Sequence, residues 1–333
     1  MLAEYIHNLD PVIFSVTDSI KLRWYGFAYL LAFVAGYYLL KKLGDKKLWV
    51  LPGNQAGDFI AVGAFFGVFL GGRIGNVLVY QMDEFLADPL MIFKVWEGGM
   101  ASHGGIAGLM IFTFFYARHK KVSWTGLGDA LCVVAPIGIM FGRLANFING
   151  ELYGRIAQGY GWAMKFPNAL WDPELKGHEF DKRGEAMRVA KELDPSMVDR
   201  LNNRAEGVHE SEILNATIRD NESVRDAMGQ FLEPRYPSQL FQAAGEGLAL
   251  FLILFIVRLR FRNLYNGVLT GMFFILYAVF RITMENFREP ETENINLLGA
   301  TVTMGQFLSF FMIIIGAGFI AWAMKAKQRL VPG

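Results

Sequence analysis

The chain has 333 residues, of which 53% are apolar and 19% are charged, and it contains 29 phenylalanines. This composition is typical of a membrane protein rather than of a soluble protein of the same length. Its 32 basic and 31 acidic residues give a net charge of +1, which excludes the strong positive charge that nucleic-acid binding requires. The single cysteine excludes a disulfide framework and a cysteine-rich metal site.

Charged residues are concentrated in one block, roughly residues 155–235, and long apolar runs lie on both sides of it. A transmembrane helix needs about 20 mostly apolar residues to cross a hydrocarbon layer of about 30 Å. The runs lack strand-like alternation, so we expect helices rather than barrel strands. Seven segments approach or meet the required length: residues 24–40, 56–80, 98–116, 126–148, 238–257, 265–284 and 300–324.

Lysine and arginine are concentrated after the first, third, fifth and seventh of these segments. Because basic short loops face the cytoplasm, we expect the N-terminus outside and the C-terminus in the cytoplasm. The charged block then lies outside, where helix-permissive stretches at 185–193 and 210–228 predict a small domain. Its charge is compatible with a solvated cap or with a substrate-docking surface.

The predicted fold is an all-α polytopic membrane protein with seven transmembrane helices and a small extramembrane domain inserted between spans four and five. Residues 1–150 hold the N-terminal arm and spans one to four. Residues 151–236 form the inserted head, and residues 237–333 hold spans five to seven.

Ionisable side chains inside a membrane are costly, so they are candidates for a functional site. At about 1.5 Å per helical residue, several of them lie toward the outer side of different spans. An arginine near a helix end can extend to the headgroup region without a function, but this explains one such arginine and not three. Guanidinium groups bind phosphate oxygens, so the cluster predicts an anionic lipid headgroup as ligand. Its members are Arg73, Arg143, Arg281, His103, Tyr25, Glu151 and Glu285.

Other polar residues in the spans have two readings. His103 can be a packing residue or can transfer protons near neutral pH. Glu246 lies about 12 Å into its span, where a structural partnership with a neighbouring helix is one explanation. Cys132 is expected to be a small buried hydrophobic residue, so a reacting thiol would come from another molecule. The glycines at 67–75 and 104–108 are expected to form close helix contacts.

Residues 142–155 read Gly-Arg-Leu-Ala-Asn-Phe-Ile-Asn-Gly-Glu-Leu-Tyr-Gly-Arg, and this long run resembles the signature of the prolipoprotein diacylglyceryl transferase family. The resemblance covers essentially the whole chain except the insert, and family members have seven spans with an outward N-terminus. The shorter matching runs are Trp24-Tyr25-Gly26, Gly71-Gly72-Arg73-Ile74-Gly75, His103-Gly104-Gly105, Pro237-Ser238-Gln239-Leu240, and Arg281 with Glu285.

The resemblance implies an enzyme of the bacterial inner membrane, with a periplasmic N-terminus and insert and a cytoplasmic C-terminus. Such an enzyme transfers the diacylglyceryl group of phosphatidylglycerol to the lipobox cysteine thiol of prolipoprotein signal peptides and releases glycerol phosphate. This is the first step of lipoprotein maturation, and it requires no metal or organic cofactor.

The resemblance also suggests roles for individual residues. Arg143 and Arg281 would bind the phosphate, and His103 matches the histidine proposed as catalytic. The predicted catalytic set is His103, Arg143, Arg281, Tyr25, Glu151 and Glu285. The predicted substrate-binding set is Arg143, Arg281, Asn146, Gly154 and Arg73.

Two features depart from the family pattern. The insert is longer than usual, and the family run Arg-His-Pro-Ser-Gln-Leu-Tyr-Glu is replaced by Arg235-Tyr236-Pro237-Ser238-Gln239-Leu240-Phe241-Gln242. A tyrosine ordinarily titrates near pH 10, so Tyr236 does not serve as a proton-transfer group in the way a histidine can.

Functions of other classes are a noncatalytic lipid-binding scaffold and a transporter or binding protein for an anionic lipid or solute. A transporter would need charge along the whole crossing path. The cytoplasmic half of the spans offers little beyond Asp58 and Asp129, and the two halves of the chain show no inverted repeat.

Overall fold

The computed structural model describes residues 5–15, 21–94, 98–175, 177–205, 207–290, 295–297 and 300–330. Most of these residues are helical, as the apolar runs predict. The α-helices, in chain order, are α1 (Trp24–Asp45), α2 (Ala56–Val62), α3 (Leu70–Tyr80), α4 (Met82–Ala87), α5 (Ser102–Lys120), α6 (Trp124–Asn149), α7 (Glu179–Leu193), α8 (Ser196–Asn202), α9 (Glu210–Asp220), α10 (Glu222–Met228), α11 (Ser238–Gln242), α12 (Leu250–Arg260), α13 (Val268–Met284) and α14 (Met304–Ala326).

Two long helices each run through several of these elements. The helix Gly53–Tyr80 contains α2, the π-helical segment Gly63–Phe69 and α3. The helix Ser238–Arg260 contains α11, the π-helical segment Ala243–Ala249 and α12. Such segments are rare inside α-helices and often mark functional sites.

Several helices of the described chain are long and apolar enough to cross a membrane, which confirms a helical polytopic membrane protein. The helix α13 has 17 residues and α5 ends in three basic residues, and neither belongs to this set. The count of seven spans therefore stays a prediction. The five helices that meet the criterion are Trp24–Asp45, Gly53–Tyr80, Trp124–Asn149, Ser238–Arg260 and Met304–Ala326.

Three predicted spans begin too early in the sequence. Gly98 and Gly99 have φ angles of 81° and 79°, and helix α5 begins only at residue 102. Gly267 has a φ of 104°, and α13 begins after it. Residues 300–302 form a strand before α14. A positive φ interrupts a right-handed helix, and apolar composition alone does not reveal this interruption.

The all-α prediction holds for the large elements but misses short strands. The described residues form three two-stranded sheets: β1–β4 is parallel, whereas β2–β3 and β5–β6 are antiparallel. The strands are β1 (Tyr5–Ile6), β2 (Val12–Ser15), β3 (Lys21–Arg23), β4 (Met164–Lys165), β5 (Ile295–Leu297) and β6 (Ala300–Val302).

The chain forms two compact units. The first unit comprises Met1–Ala32, Ile137–Leu250 and Tyr277–Met312. The second comprises Phe33–Pro136, Phe251–Leu276 and Ile313–Gly333.

The charged insert has a small apolar core of its own within the first unit. Helices α7 to α10 contribute most of this core, and Ala186 and Ala190 lie one turn apart on its side of α7. The predicted helix at 210–228 is divided into α9 and α10 at Asn221, whose side chain accepts a hydrogen bond from the backbone N–H of Val224. An N-cap of this kind begins a new helix.

The N-terminal arm is attached to the insert through strand pairing. Strand β1 pairs with β4, and the next residue, His7, donates its backbone N–H to Lys165 O at 2.8 Å. The His7 ring stacks on Phe166 and meets Phe147 edge-on, with ring centroids 5.5 Å apart in both cases. His7 is therefore a buried packing residue of the first unit.

Glycines in the second unit form the close helix contacts that the sequence predicts. A Cβ on Gly71 would lie 2.8 Å from the Cα of Gly108, and a Cβ on Gly104 would lie 2.7 Å from the Cα of Gly75. These pairs let α3 and α5 approach at backbone distance, as small residues do in membrane helices.

A second pair of glycines brings helices together in the first unit. Gly247 lies against helix α6, where an added Cβ would be 2.8 Å from Cα and 3.0 Å from N of Met140. Gly245 faces α13, where an added Cβ would be 3.0 Å from the Cε of Met284. Both glycines belong to the π-helical segment Ala243–Ala249, so this segment lies close to two neighbouring helices.

We predict that Gly247→Ala destabilises the protein more than Gly245→Ala does. The new methyl group meets backbone atoms of α6 in the first variant and the end of a flexible methionine in the second. Overpacking of this kind costs about 1–3 kcal/mol, and we expect Gly245→Ala to cost less than about 1 kcal/mol. Thermal unfolding of both variants in detergent tests this order, and an equal or larger loss for Gly245→Ala would contradict it.

We also predict that His7 makes stability depend on pH. Burial lowers the pKa of His7 to about 4, from the usual value of about 6.5. Between these values the unfolded chain binds a proton that the folded chain does not, so stability is lost as pH falls from about 6.5 toward 4. The loss amounts to at most roughly 3 kcal/mol.

The variant His7→Phe should show a smaller loss of melting temperature between about pH 7.5 and about pH 5 than the wild type. The variant His209→Gln is the control, since His209 is exposed. Equal pH dependence in the wild type and in His7→Phe would refute the assignment.

Candidate functional site

Two arginines from different helices meet at one buried carboxylate in the first unit. Arg143 Nη2 of α6 lies 3.6 Å from Glu246 Oε2, and Arg281 Nη1 of α13 lies 3.6 Å from Glu246 Oε1. Glu246 is fully buried, whereas the side chains of Arg143 and Arg281 remain 18% and 12% exposed. The structure thus brings together the two predicted phosphate-binding residues.

The glycines described above explain why these side chains meet. Gly245 and Gly247 flank Glu246 and allow α13 and α6 to approach its helix closely. Arg143 follows Met140 by three residues and therefore lies on the same side of α6. Arg281 directly follows Phe280, whose ring lies 3.4 Å from the position of a Cβ on Gly245.

Glu285 completes the cluster on the side of α13. Its Oε2 lies 3.2 Å from Arg281 Nη2, and its side chain is 4% exposed. A Cβ on Gly305 of α14 would lie 3.0–3.1 Å from the Glu285 carboxylate atoms, so glycine is what allows α14 to approach here. The predicted neighbourhood of Arg281 and Glu285 is confirmed.

Buried polar atoms without a hydrogen-bond partner in the described chain gather in this region. Such an atom costs about 1–3 kcal/mol, so a group of them indicates a place for water or a polar ligand. The atoms are Gln239 Oε1, both amide atoms of Gln242, both carboxylate oxygens of Glu246, Arg281 Nη1 and Glu285 Oε2.

The end of helix α6 positions Glu151. Gly150 has a φ of 65°, its N–H bonds to Phe147 O, and the N–H of Glu151 bonds to Asn146 O. These bonds form a Schellman motif, which turns the chain back on its helix. Asn146 Nδ2 then donates to Glu151 Oε1 at 2.8 Å, so two predicted site residues form a direct pair.

The pair between Asn146 and Glu151 is held to the helix that carries Glu246. Gln239 Nε2 donates to the backbone oxygen of Glu151 at 2.6 Å, and Ser238 Oγ donates to Leu152 O at 3.0 Å. A cavity of about 410 Å³ borders Glu151 on the side of the insert, with Arg288 and Glu289 also in its lining.

Gly154 lies where three chain segments cross. Its N–H donates to Tyr236 O at 2.9 Å, and an added Cβ would lie 2.7 Å from the Cβ of Tyr236. Its carbonyl accepts from Arg235 Nη1 at 3.3 Å. Arg235 in turn is fully buried against Glu179, with Nη2 and Oε1 2.9 Å apart. In this structure Gly154 therefore acts through close packing, and its predicted substrate contact stays untested.

Tyr25 lies at the start of α1 in the first unit. Its hydroxyl lies 3.5 Å from that of Tyr29, and it is close enough to Arg143 and Glu151 to interact with them electrostatically. The side chain is 37% exposed, so it remains accessible to a ligand.

Arg73 and His103 belong to the second unit. Arg73 is buried, and its guanidinium donates to five backbone oxygens: Met91, Ile92, Lys94, Gly98 and Gly99. All five guanidinium hydrogens have carbonyl partners, so Arg73 anchors this loop rather than presenting a free fork to phosphate. The headgroup contact predicted for Arg73 stays a prediction.

His103 lies in the first turn of α5, and its side chain is exposed. It directly precedes Gly104, which packs on Gly75 of α3. The N–H of Ala101 donates to Gly72 O at 3.0 Å, which fixes the start of this helix. The catalytic role of His103 stays a prediction.

Three residues near the arginines escaped the sequence analysis as site residues. A partner on a neighbouring helix is one explanation that the sequence offers for Glu246, and the structure pairs it with arginines of two neighbouring helices. Gln242 was noted only as a departure from the family pattern, and its amide is buried one turn before Glu246. Tyr277 of α13 lies close enough to Glu246, Arg281 and Arg143 to interact electrostatically. Gln242 precedes Glu246 by one helical turn, and Tyr277 precedes Arg281 by one turn. This spacing is the sequence signal that places both side chains near the charged cluster.

The described residues contain no group of three or more histidine, cysteine, aspartate or glutamate side chains that could hold a metal ion.

Known proteins resemble this chain over almost its whole length. Residues 11–322 match the family model described as prolipoprotein diacylglyceryl transferase. Relatives named phosphatidylglycerol–prolipoprotein diacylglyceryl transferase are 34% identical in Shigella boydii, over 99% of each chain, and 36% identical in Photorhabdus laumondii, over 97% of this chain and 96% of the relative. A relative of the same name from Escherichia coli is 34% identical over 99% of each chain. The chain belongs to the prolipoprotein diacylglyceryl transferase family.

Proposed function

We propose that this protein transfers the diacylglyceryl group of phosphatidylglycerol to the lipobox cysteine thiol of prolipoproteins, the first step of lipoprotein maturation. The observation that carries this proposal is the convergence of Arg143 and Arg281 on Glu246 in a member of this family. Two guanidinium groups with hydrogen-bonding capacity to spare suit a phosphate diester.

The reaction forms a bond between the cysteine sulfur and a glycerol carbon of the lipid. The bond between that carbon and the phosphate oxygen breaks, and glycerol phosphate leaves with the bonding electron pair. Negative charge therefore grows on the phosphate in the transition state. Arg143 and Arg281 stabilise this charge more than they stabilise the starting diester, which accelerates the reaction.

The thiol has to lose its proton to become a nucleophile. A cysteine with a pKa near 8.5 is only a few per cent thiolate at neutral pH, so a base or a positive field is needed. His103 accepts the thiol proton in this proposal, and the arginines supply the field. No metal or organic cofactor takes part.

The other predicted residues support this arrangement. Glu285 orients Arg281 through their ion pair, and Glu151 with Asn146 orders the turn after α6. Tyr25 offers a hydroxyl to the bound lipid, and Gly154 permits the close crossing of chain segments at the start of the insert. Arg73 anchors the loop before α5 in the second unit.

The protein is a bacterial membrane enzyme, and we place it in the inner membrane with seven spans. Basic residues in alternate loops support a periplasmic N-terminus and a cytoplasmic C-terminus. Residues 151–236 then form a periplasmic head between residues 1–150 and residues 237–333. The apolar core of this head supports its treatment as a small domain.

The central experiment incubates the purified protein with phosphatidylglycerol vesicles and a peptide carrying the lipobox cysteine. Transfer adds the mass of a diacylglyceryl group to the thiol. A transporter or a noncatalytic lipid-binding protein produces no such product, so its absence with folded protein would exclude the enzyme.

We predict that Arg143→Ala and Arg281→Ala each reduce transfer by at least about 100-fold, the usual effect of losing a group that stabilises transition-state charge. Arg188→Ala is the matched control, because Arg188 lies on the insert with 61% of its side chain exposed. Product formation is measured by mass spectrometry, with the amount of folded protein in the membrane checked for each variant. Normal turnover in Arg143→Ala would remove the proposed role.

We predict a different result for His103→Gln. If His103 accepts the thiol proton, the variant loses activity near neutral pH and recovers part of it at higher pH, where more thiolate is present. The measurement is the transfer rate as a function of pH. Full activity with an unchanged pH profile would assign His103 to packing instead.

A further inference from the structure

Glu246 has a position that the transfer reaction itself leaves unexplained. It is fully buried, and its two oxygens face different arginines at the same distance of 3.6 Å. Its carboxylate therefore lies between the two guanidinium groups, where an anionic ligand of both arginines would also bind.

The contacts of Glu246 are ion pairs without hydrogen bonds. Neither of its oxygens has a hydrogen-bond partner in the described chain, and Arg281 Nη1 also has none. Charge-assisted hydrogen bonds between such groups are usually about 2.7–2.9 Å long. Glu246 therefore holds the guanidinium groups by charge while leaving donors for another anion.

The four charged side chains of the cluster have a net charge of zero when no ligand is bound. Arg143 and Arg281 carry two positive charges, and Glu246 and Glu285 carry two negative charges. A buried charge without a partner is strongly unfavourable, so the two arginines require this compensation whenever the site holds no phosphate. A bound phosphate makes the region negative by one charge, and the departing glycerol phosphate makes it more negative still.

We propose that Glu246 is a positioning residue that takes the place of the phosphate between turnovers. It holds Arg143 and Arg281 together before phosphatidylglycerol binds, and its charge opposes the retention of glycerol phosphate after transfer. The inference rests on the proposed function, because it concerns the same two arginines.

This role and a merely structural role predict opposite effects of removing the charge. If Glu246 competes with the product for the guanidinium groups, Glu246→Gln leaves two uncompensated cations and binds glycerol phosphate more tightly. If Glu246 only supports the fold, the same substitution displaces the arginines and binds glycerol phosphate more weakly.

The test measures the inhibition constant of added glycerol phosphate together with kcat, in the full-length protein with phosphatidylglycerol vesicles and a lipobox peptide. We expect Glu246→Gln to lower the inhibition constant by about tenfold or more, the effect of one nearby charge in a partly screened site. We expect kcat to fall as well, because product release becomes slower.

Glu246→Asp keeps the charge but withdraws it from both guanidinium groups by one methylene. We expect it to lower the inhibition constant by a smaller factor, so this variant tests the proposal even if Glu246→Gln does not accumulate. The charge control is Glu233→Gln, since Glu233 pairs with Lys182 in the insert and should leave both constants unchanged.

A raised or unchanged inhibition constant in either Glu246 variant would overturn the proposal. Failure of the proposed function is a separate result, because the wild-type protein would then transfer no diacylglyceryl group to the peptide. Transfer by the wild type without the expected change in the variants would reject the role of Glu246 alone.

Discussion

The pairing of buried charges dominates the organisation of the first unit. Arg143, Arg281, Glu246 and Glu285 are ionisable groups on predominantly apolar helices, where an unpaired charge would be strongly destabilising. Glycines allow the close helix approach that brings them together: Gly247 lies against backbone atoms of α6, and Gly245 lies against side chains of α13. The geometry of the site is therefore inseparable from the packing of α6, α13 and the helix Ser238–Arg260, and the π-helical segment with Glu246 lies at their contact.

Much of this arrangement follows from the sequence. The apolar runs predict the long helices, and helix rise predicts that Arg143 and Arg281 lie at a similar level. The sequence cannot reveal that Glu246 faces both of them, because this depends on how far Gly245 and Gly247 allow neighbouring helices to approach. Helix starts also escape prediction where glycines such as Gly98 and Gly267 adopt positive φ, since apolar composition does not register backbone conformation.

In the insert too, sequence patterns predict the helices but not the contacts between distant segments. Its polar composition predicts an extramembrane region, and helix-forming stretches predict α7, α9 and α10. The pairing of β1 with β4 joins segments more than 150 residues apart, and two-residue strands carry no alternation from which pairing could be inferred. The burial of His7 between Phe147 and Phe166 follows from that pairing and from no local signal.

The buried arginines of this protein differ in whether their guanidinium N–H groups already have hydrogen-bond acceptors within the protein. Arg73 gives its five hydrogens to backbone oxygens, and Arg235 is held by Glu179 with the geometry of a fully buried pair. Arg281 instead keeps a buried nitrogen without a hydrogen-bond partner in the described chain. A protein tolerates such a group when a ligand completes it during function. Position in the membrane marks every buried arginine as costly, but unused hydrogen-bonding capacity separates Arg281, for which we propose a phosphate ligand, from arginines that hold a loop or a head in place.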